Sequence, residues 1–451
     1  MISVVTINKN NKKGLEKTIN SVLSQTIYDD VEYVIIDGNS SDGSKEILEK
    51  YKDKLSFAIS EDDSGRYDAM NKGVKNAHGD YVLFLNSGDY FYSDNVLATL
   101  SENATEDVVY GDIIVSYRNG SYVQKYSDTI EPTYFLTKSL PHPASLIKRQ
   151  LLLDEPYYED LDIVSDWCFF YKKLVIEKRS YRHVNCNVSV FGLDGISSTN
   201  NKQLMEEKEV CYKRLAEAFP YKVIVSLTTW TRRLNYVHET IKSLLNQTHK
   251  PDKIYLILSR EELKDVDLPK NLTSIEDEAF EIIWVDKDTK TMKKVLPILD
   301  KVGQDDVIIN SDDDVIFEKD FIEARLIDYT KTGYSRSISS QPRFYWMNSY
   351  FSGCGSLMPR HSLNGYEEFV NQEVLETYED DWVYSFLHLL NGDKFVICSR
   401  YDVYAFNFVH QECSSKDMGL YNTQRTSMVM QKRVKELTNM TIQEIVDKNN
   451  K

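Results

Sequence analysis

Short apolar runs alternate along the chain with stretches whose apolar residues recur at helical spacing. The runs at 2–7 and 31–36 flank one such stretch, and the runs at 223–228 and 254–258 flank another. Strand, helix and strand in succession predict a parallel sheet covered by helices. We therefore predict an α/β fold with a mostly parallel, Rossmann-like sheet.

An internal repeat indicates that this design occurs twice. The nine residues TINSVLSQT at 18–26 recur as TIKSLLNQT at 240–248, with six identities at an offset of 222. The same offset places Lys72 on Lys294. A repeat that keeps one register over separated segments predicts two copies of one folding unit.

The two predicted domains meet near residue 219. The segment at about 200–219 is rich in Lys and Glu and has apolar residues at helical spacing, and Pro220 follows it. It predicts a helix that closes the first domain. We predict an N-terminal domain at 1–219 and a C-terminal domain at 220–451, packed together because no Gly or Ser linker separates them.

The chain is acidic, with 54 Lys and Arg against 70 Asp and Glu and a formal net charge of −16. Because this charge repels a polyphosphate backbone, we do not expect a nucleic-acid partner. A small anionic nucleotide can still bind where a divalent cation or a few placed cations neutralise it. The six cysteines include no Cys-x-x-Cys pair, which argues against a zinc site and a disulfide framework.

No apolar run approaches the ~20 residues that a membrane span needs. The first residues predict a strand rather than a signal peptide. We therefore expect a cytoplasmic protein, with peripheral association at the inner face of the plasma membrane left open.

Polar residues follow the apolar runs directly, and ligands of parallel α/β sheets bind at the carboxyl ends of the strands. In the first copy these residues include Thr6, Asn8 and Asp37. A carboxylate such as Asp37 can accept a hydrogen bond from a ribose hydroxyl or a base N–H. The alternative is a simple turn in which Asp37 caps the following helix.

A charged loop at 60–73 predicts a diphosphate site. It contains Asp63, Arg66 and Lys72 and leads into a helix. Helix N-termini and cationic side chains both stabilise phosphate charge. The alternative is a solvated charged turn.

Acidic residues follow a core strand in each copy. The run at 81–85 ends at Asn86-Ser87-Gly88-Asp89, and the run at 307–309 is followed by Asp312, Asp313 and Asp314. Adjacent carboxylates are costly unless positive charge joins them. Mn²⁺ or Mg²⁺ prefers such oxygen ligands together with substrate phosphates. We predict a metal at these acids, with a solvated turn as the alternative.

An Asp-Trp pair begins an amphipathic stretch in both copies. The acids are Asp166 and Asp381, and either alone would suit a helix cap. Their recurrence favours catalysis. We predict that each acts as a general base for an acceptor hydroxyl while the metal stabilises the departing diphosphate.

The first copy resembles the inverting glycosyltransferase family 2, which has the GT-A fold. This resemblance implies that Thr6 and Asp37 contact the nucleoside, that Asp89 holds the metal and that Asp166 is the base. Asn86 and Gly88 stand where the family has carboxylates. The resemblance is carried by Val4-Val5-Thr6, Ile36 to Gly43, Tyr67 to Gly73, Phe84 to Asp89, Pro141 to Ser145, Ser165-Asp166-Trp167 and Gly195 to Ser198.

The second copy is similar to a more distant GT-A group. This similarity implies that Thr228 and Lys294 bind the nucleotide sugar. Ser259 stands where the first copy has Asp37, so we expect nucleotide recognition to differ. The motifs that carry the similarity are Ser226 to Thr229, Lys294, Asp312 to Asp314, Gly353-Cys354-Gly355 and Asp380-Asp381-Trp382.

Tandem family 2 domains resemble bifunctional bacterial enzymes that build capsules and other polysaccharides. The resemblance implies a hexosyltransferase that moves sugars from UDP-sugars to a glycan, lipid-linked or glycoprotein acceptor. One alternative is that one domain alone is catalytic and the other binds acceptor or serves assembly. Two others are a catalytically silent carbohydrate-binding protein and a metal-dependent nucleotidyltransferase, although no Gly-rich basic loop is evident. Aromatic residues at 117–126 and 343–346 either stack on sugars or pack in a core.

Overall fold

The computed structural model describes residues 1–192, 200–339, 355–377, 380–397, 407–408 and 423–449. The motifs at 195–198, 343–346 and 353–354 lie outside the described residues. The chain divides into two compact units, Met1–Tyr212 (unit 1) and Lys213–Lys451 (unit 2). The division falls inside a helix, Asn201–Glu217, in the segment predicted to be helical.

Unit 1 is an α/β unit in which helices follow most of the central strands. Its strands are β1 Ile2–Asn8, β2 Val31–Asp37, β3 Phe57–Ser60, β4 Tyr81–Phe84, β5 Tyr90–Phe91, β6 Val108–Tyr117, β7 Gly120–Gln124, β8 Ser145–Lys148 and β9 Tyr181–Gly192. Its helices are α1 Lys12–Leu23, α2 Ser44–Tyr51, α3 Arg66–Asn76, α4 Val96–Glu102, α5 Tyr134–Thr137, α6 Arg149–Asp154, α7 Ser165–Phe170 and the start of α8 Asn201–Glu217.

Unit 2 follows a similar order of elements. Its strands are β10 Val223–Thr228, β11 Lys253–Ser259, β12 Phe280–Val285, β13 Val307–Ser311, β14 Val315–Ile316, β15 Arg336–Ser339, β16 Ser356–Pro359, β17 Lys394–Ile397 and β18 Asn407–Phe408. Its helices are α9 Val237–Leu245, α10 Lys270–Thr273, α11 Phe321–Lys331, α12 Tyr366–Phe369, α13 Gln372–Leu375, α14 Asp380–Asn391, α15 Thr423–Thr438 and α16 Ile442–Asn449.

The main sheets of the two units have the same strand order over seven strands. In unit 1 the order is β3-β2-β1-β4-β8-β6-β9, and in unit 2 it is β12-β11-β10-β13-β16-β15-β17. The first four strands of each sheet are parallel, and the fifth is antiparallel to the fourth. The predicted α/β class is confirmed, although each sheet is mixed beyond its first four strands.

The central strands β1 and β10 are buried along nearly their whole length. Helices cover both faces of a parallel sheet, so its inner strands are apolar runs rather than alternating patterns. That burial explains why these two strands stand out in the sequence. Within the described part of the chain, the helices are too short or too polar to cross a membrane.

The repeated segments make the same hydrogen bonds in both units. In unit 1 the Thr18 hydroxyl donates to the Asp89 carbonyl at 2.6 Å. In unit 2 the Thr240 hydroxyl donates to the Asp313 carbonyl at 3.1 Å. The first helix of each unit therefore anchors the loop that carries the predicted metal ligands.

A glutamine in each repeat extends this anchor. The Gln25 side-chain amide donates to the Ser93 carbonyl at 2.8 Å, and the Gln247 amide donates to the Glu318 carbonyl at 2.7 Å. Both glutamines are buried, and their side-chain oxygens accept from the buried Leu97 and Ile322 N–H groups at 3.0 Å, which need a partner. The identities at 18–26 and 240–248 thus have a structural cause, since these residues hold the acidic loop against the first helix.

Candidate functional site

Asp37 ends strand β2 in a fully buried pocket of polar groups. Its carboxylate accepts hydrogen bonds from the Asn8 amide, the Ser40 hydroxyl and the Ser60 hydroxyl, each at 2.6 Å. Burial raises the pKa of Asp37, but these donors outweigh burial and lower the pKa overall. The structure therefore brings the predicted residues Asn8 and Asp37 together, with the neutral Asn8 amide donating to an ionised Asp37 carboxylate.

The two predicted threonines tie neighbouring strands. The Thr6 hydroxyl is fully buried and donates to the Leu85 carbonyl at 2.8 Å. The Thr228 hydroxyl donates to the Ile257 carbonyl at 2.7 Å. Both side chains are used inside the sheet, so direct contact with a nucleoside stays a prediction that this geometry does not favour.

The charged loop after β3 packs against the turn that follows Asp37. Asp63 Oδ1 lies 3.4 Å from Lys9 Nζ. A Cβ atom on Gly38 would lie only 2.1 Å from Asp63 Oδ2, so glycine permits this close approach. The loop predicted to hold a diphosphate therefore borders the Asp37 pocket.

The cations of that loop are arranged differently from the prediction. Lys72 Nζ lies 3.0 Å from Glu61 and 3.3 Å from Asp68, and it donates to the Asp62 carbonyl at 2.9 Å. Arg66 lies half-buried at the first position of α3. Lys72, which lies in α3, is thus neutralised by acids of its own segment. Its contact with a diphosphate stays a prediction.

Asp89 is a buried carboxylate at the exit of strand β4. Burial raises the pKa of Asp89 to about 7, although the Gly192 N–H and the charge of Lys17 favour its ionised form. The buried side-chain oxygen of Asn86, three residues earlier, has no hydrogen-bond partner among the described residues. An under-compensated carboxylate beside an orphaned oxygen suits a hard divalent cation.

Asp166 lies in the first turn of helix α7. The Tyr67 hydroxyl, from α3, donates to Asp166 Oδ1 at 2.8 Å and accepts a hydrogen bond from the Ser165 N–H at 3.1 Å. Asp166 is half-buried. A half-buried carboxylate that accepts a hydrogen bond on one oxygen can take up a proton on the other, as a general base must.

Lys294 contacts acids from two predicted motifs of unit 2. Its buried ammonium lies 2.7 Å from Asp312 and 3.7 Å from Asp380. Burial lowers the pKa of Lys294, but the charges of Asp312, Asp380 and Asp381 outweigh burial and raise it well above its ordinary value. The structure therefore brings Lys294, the acidic loop and the Asp-Trp helix start together.

Arg233 completes this cluster and was not predicted. Its guanidinium lies 2.7 Å from Asp313 and 2.8 Å from Asp314. The Thr229 hydroxyl donates to the other oxygen of Asp313 at 2.6 Å. Burial raises the pKa of Asp314 to about 6 despite the opposing charge of Arg233. The signal in the sequence is the pair Arg232-Arg233, which follows strand β10 closely.

These contacts change what the acids of unit 2 can bind. Both oxygens of Asp313 are used by protein donors, so Asp313 does not suit a metal. Across the described ranges, no three His, Cys, Asp or Glu side chains form a group that could hold a metal ion. A divalent cation here would rest on one or two carboxylates and on nucleotide phosphates, as Mg²⁺ commonly does.

The family model named Glycosyl transferase family 2 matches residues 3–178. A PGL/p-HBAD biosynthesis glycosyltransferase of Mycobacterium bovis is 30% identical over 213 residues, which span 44% of this chain and 80% of that protein. The chain belongs to glycosyl transferase family 2. The family match begins in β1 and ends after α7, so it includes the Asp37, Asp89 and Asp166 positions.

Other similar proteins are matched over less of their own length. An uncharacterized glycosyltransferase of Mycobacterium tuberculosis is 40% identical over 101 residues, or 22% of this chain, and the match spans 38% of that relative. A crystal structure of S. aureus TarS 1-349 in complex with UDP-GlcNAc is 21% identical, with a TM-score of 0.41, and the match covers 48% of this chain and 65% of that one.

Proposed function

We propose that unit 1 transfers a sugar from a nucleotide-sugar donor, most simply a UDP-sugar, to an acceptor hydroxyl with inversion at the sugar carbon. The observation that supports this proposal is that the three predicted acids of unit 1 have three distinct environments. Asp37 is hydrogen-bonded and ionised, Asp89 is buried with little compensating charge, and Asp166 is half-buried on a helix start. Membership of family 2 supports the reaction class.

Each acid then has its own role. Asp37, oriented by Asn8, would accept hydrogen bonds from the nucleoside. Asp89 would hold Mn²⁺ or Mg²⁺, which when bound supplies positive charge to the leaving diphosphate. Asp166 would accept the proton of the acceptor hydroxyl as that oxygen bonds to the sugar carbon and the bond to the diphosphate oxygen breaks.

We further propose that unit 2 is a second transferase, which makes the chain bifunctional. Its support is the shared strand order and the cluster of Lys294 and Arg233 with the acids at 312–314. Asp381 would be its base, and Asp312 and Asp314 would be its metal ligands. The acceptor would be a glycan, a lipid-linked sugar or a glycoprotein, reached from the cytoplasmic side of the membrane. The competing proposal keeps catalysis in unit 1 and assigns acceptor binding or assembly to unit 2.

Release of UDP from a panel of UDP-sugars, with and without Mn²⁺, tests the reaction class. Asp166→Asn and Asp381→Asn then test the two units, because loss of a general base lowers the rate by about 10²- to 10⁴-fold. We expect each variant to lose a different transfer. Exposed aspartates provide matched controls, Asp53→Asn in unit 1 and Asp267→Asn in unit 2.

The outcomes separate the proposals. Loss of one and the same transfer in both variants would refute two independent sites. Full activity of Asp381→Asn would favour catalysis by unit 1 alone. Donor turnover that survives in Asp166→Asn would remove Asp166 from the mechanism.

A further inference from the structure

Asp166 lies in the first turn of a helix that has no side-chain cap. Helix α7 continues directly into a π-helical segment, Tyr171–Ile176, and its N-cap residue, Val164, makes no side-chain capping hydrogen bond. The first N–H groups of a helix have no partner within the helix and need one from elsewhere. The start of α7, and with it the orientation of Asp166, therefore depends on groups outside the helix.

Glu207 of helix α8 supplies partners immediately before α7. Its carboxylate accepts hydrogen bonds from the Ile163 N–H at 2.8 Å and the Val164 N–H at 3.2 Å. It also accepts from the Asp162 N–H at 3.2 Å. Glu207 is 9% exposed. A buried carboxylate that accepts several backbone N–H groups ahead of a helix fixes where the helix starts and complements its dipole.

The residue after Glu207 holds α7 at a second point. Lys208 Nζ donates to the Phe135 carbonyl at 3.1 Å and lies 4.5 Å from the centre of the Trp167 ring. Burial lowers the pKa of Lys208 to about 8. Helix α8 thus contacts the backbone just before α7 through Glu207, and it contacts Trp167, the residue that follows Asp166, through Lys208.

Tyr67 acts on the carboxylate itself. Its hydroxyl donates to Asp166 Oδ1 and accepts from the Ser165 N–H. Burial raises the pKa of Tyr67 well above its ordinary value, as does the negative charge of Asp166, so the hydroxyl keeps its proton. It is therefore a permanent donor that holds one carboxylate oxygen and leaves proton uptake to the other.

We propose that Tyr67 and Glu207 are positioning residues for Asp166, with Tyr67 fixing its carboxylate and Glu207 fixing its helix. This inference rests on the proposed role of Asp166 as the base. Neither residue needs to touch substrate.

Other titratable groups surround Asp166. Tyr157 and His142 lie on the segments before α7, and Lys208 lies on α8; all three are influenced by the charge of Asp166. His142 Nε2 lies 2.9 Å from the Tyr157 hydroxyl, and burial lowers the pKa of His142. The hydrogen bond to the Asp166 carboxylate comes from Tyr67.

The test compares Tyr67→Phe and Glu207→Gln with two matched controls in the full chain. Tyr92→Phe changes an exposed tyrosine, and Glu206→Gln changes a solvent-facing neighbour of Glu207. For the transfer lost in Asp166→Asn, we measure kcat and the donor KM separately. Thermal unfolding and calorimetric binding of UDP with Mn²⁺ are followed in parallel.

We expect kcat to fall about tenfold to hundredfold in both variants, because small misplacements of a reacting group have effects of this size. Donor KM and UDP binding should stay within twofold of the parent. A fall in kcat with unchanged donor KM and UDP binding is what misplacement of the base predicts, because donor binding does not involve Asp166.

Several results would overturn the inference. If Asp166→Asn abolishes transfer while Tyr67→Phe and Glu207→Gln keep parental kcat, the inference fails and the proposed base survives. Parental kcat in Tyr67→Phe alone refutes the role of that hydroxyl, and a weakened UDP affinity in either variant refutes a pure positioning role. Transfer that persists in Asp166→Asn overturns the base and the inference together.

A folding defect would not leave Glu207 untested. If Glu207→Gln unfolds below the assay temperature, Gln203→Ala takes its place, because the Gln203 amide donates to Glu207 at 2.8 Å. A smaller fall in kcat with unchanged UDP binding is then expected. Parental kcat in Gln203→Ala, together with parental kcat in Tyr67→Phe, would contradict the proposal.

Discussion

The two units carry acidic loops on the same scaffold, but they differ in how much positive charge the protein places beside those acids. In unit 1 Asp89 is buried with little compensating charge, and its pKa rises to about 7. In unit 2 Arg233 bridges Asp313 and Asp314. The two units therefore have the same strand order and the same threonine and glutamine anchors. These anchors support one acidic loop in which Asp89 has little compensating charge, and another whose acids pair with Arg233.

The aligned lysines show the same divergence. Lys72 pairs with two acids that are near it in the sequence, Glu61 and Asp68, and a quarter of the Lys72 side chain is exposed. Lys294 is buried and joins acids from two distant segments, Asp312 and Asp380. A repeat thus conserves backbone placement more strictly than it conserves the partners of a charged side chain.

The largest effect on stability is expected from removing Arg233. Arg233→Met would leave Asp313 and Asp314 buried without their cation, and breaking such a pair costs about 3–5 kcal/mol. Calorimetric unfolding of the full chain should show one transition that moves down strongly. Arg232→Met is the control, because Arg232 is exposed. Equal unfolding of the two variants would show that the acids of unit 2 do not depend on Arg233.

Acid should destabilise unit 2 through a buried histidine. His388 lies between the Ser337 hydroxyl and the Tyr384 carbonyl, and burial lowers its pKa to about 4. Its ordinary pKa is 6.5, so the unfolded chain binds the extra proton first. The contribution of neutral His388 to the free energy of unfolding is complete above pH 6.5. About 3 kcal/mol of that free energy is lost as the pH falls toward 4.

Urea unfolding of the full chain between pH 7 and 4.5 checks this prediction. His388→Gln should flatten the pH dependence of the unit 2 transition. The same dependence in parent and variant would show that other groups cause the acid sensitivity.

The shared anchors should matter equally in both units. Gln25→Leu and Gln247→Leu each remove the side-chain oxygen that accepts from a buried backbone N–H, of Leu97 or Ile322, and leaving such a donor unpaired costs about 1–3 kcal/mol. We expect similar losses of unfolding free energy in the two variants. A loss confined to one unit would mean that the repeat has kept its residues without keeping their role.

The smallest effect is expected at Lys72. Its ion pairs are partly solvated, and exposed pairs contribute at most about 1 kcal/mol. Lys72→Met should therefore leave unfolding nearly unchanged, whereas its effect on UDP binding with Mn²⁺ tests the predicted diphosphate contact. Unchanged UDP binding would remove Lys72 from the proposed donor site.

Much of the scaffold could be predicted because its signals are local. The predicted runs at 2–7 and 254–258 correspond to β1 Ile2–Asn8 and β11 Lys253–Ser259. The Asp-Trp pairs do begin helices, α7 and α14. Buried parallel strands are written as apolar runs, and polar residues at their carboxyl ends mark the edge where ligands bind.

The sequence by itself determined the α/β class, the repeat and the acids at the strand ends, since each follows from neighbouring residues. Only the tertiary structure decided which charges meet. Arg233 and Asp313 are 80 residues apart, and Tyr67 and Asp166 are 99 apart. Such contacts join segments that are far apart in the sequence. They depend on the order and packing of the strands and helices, which the local hydrophobic periodicity does not specify.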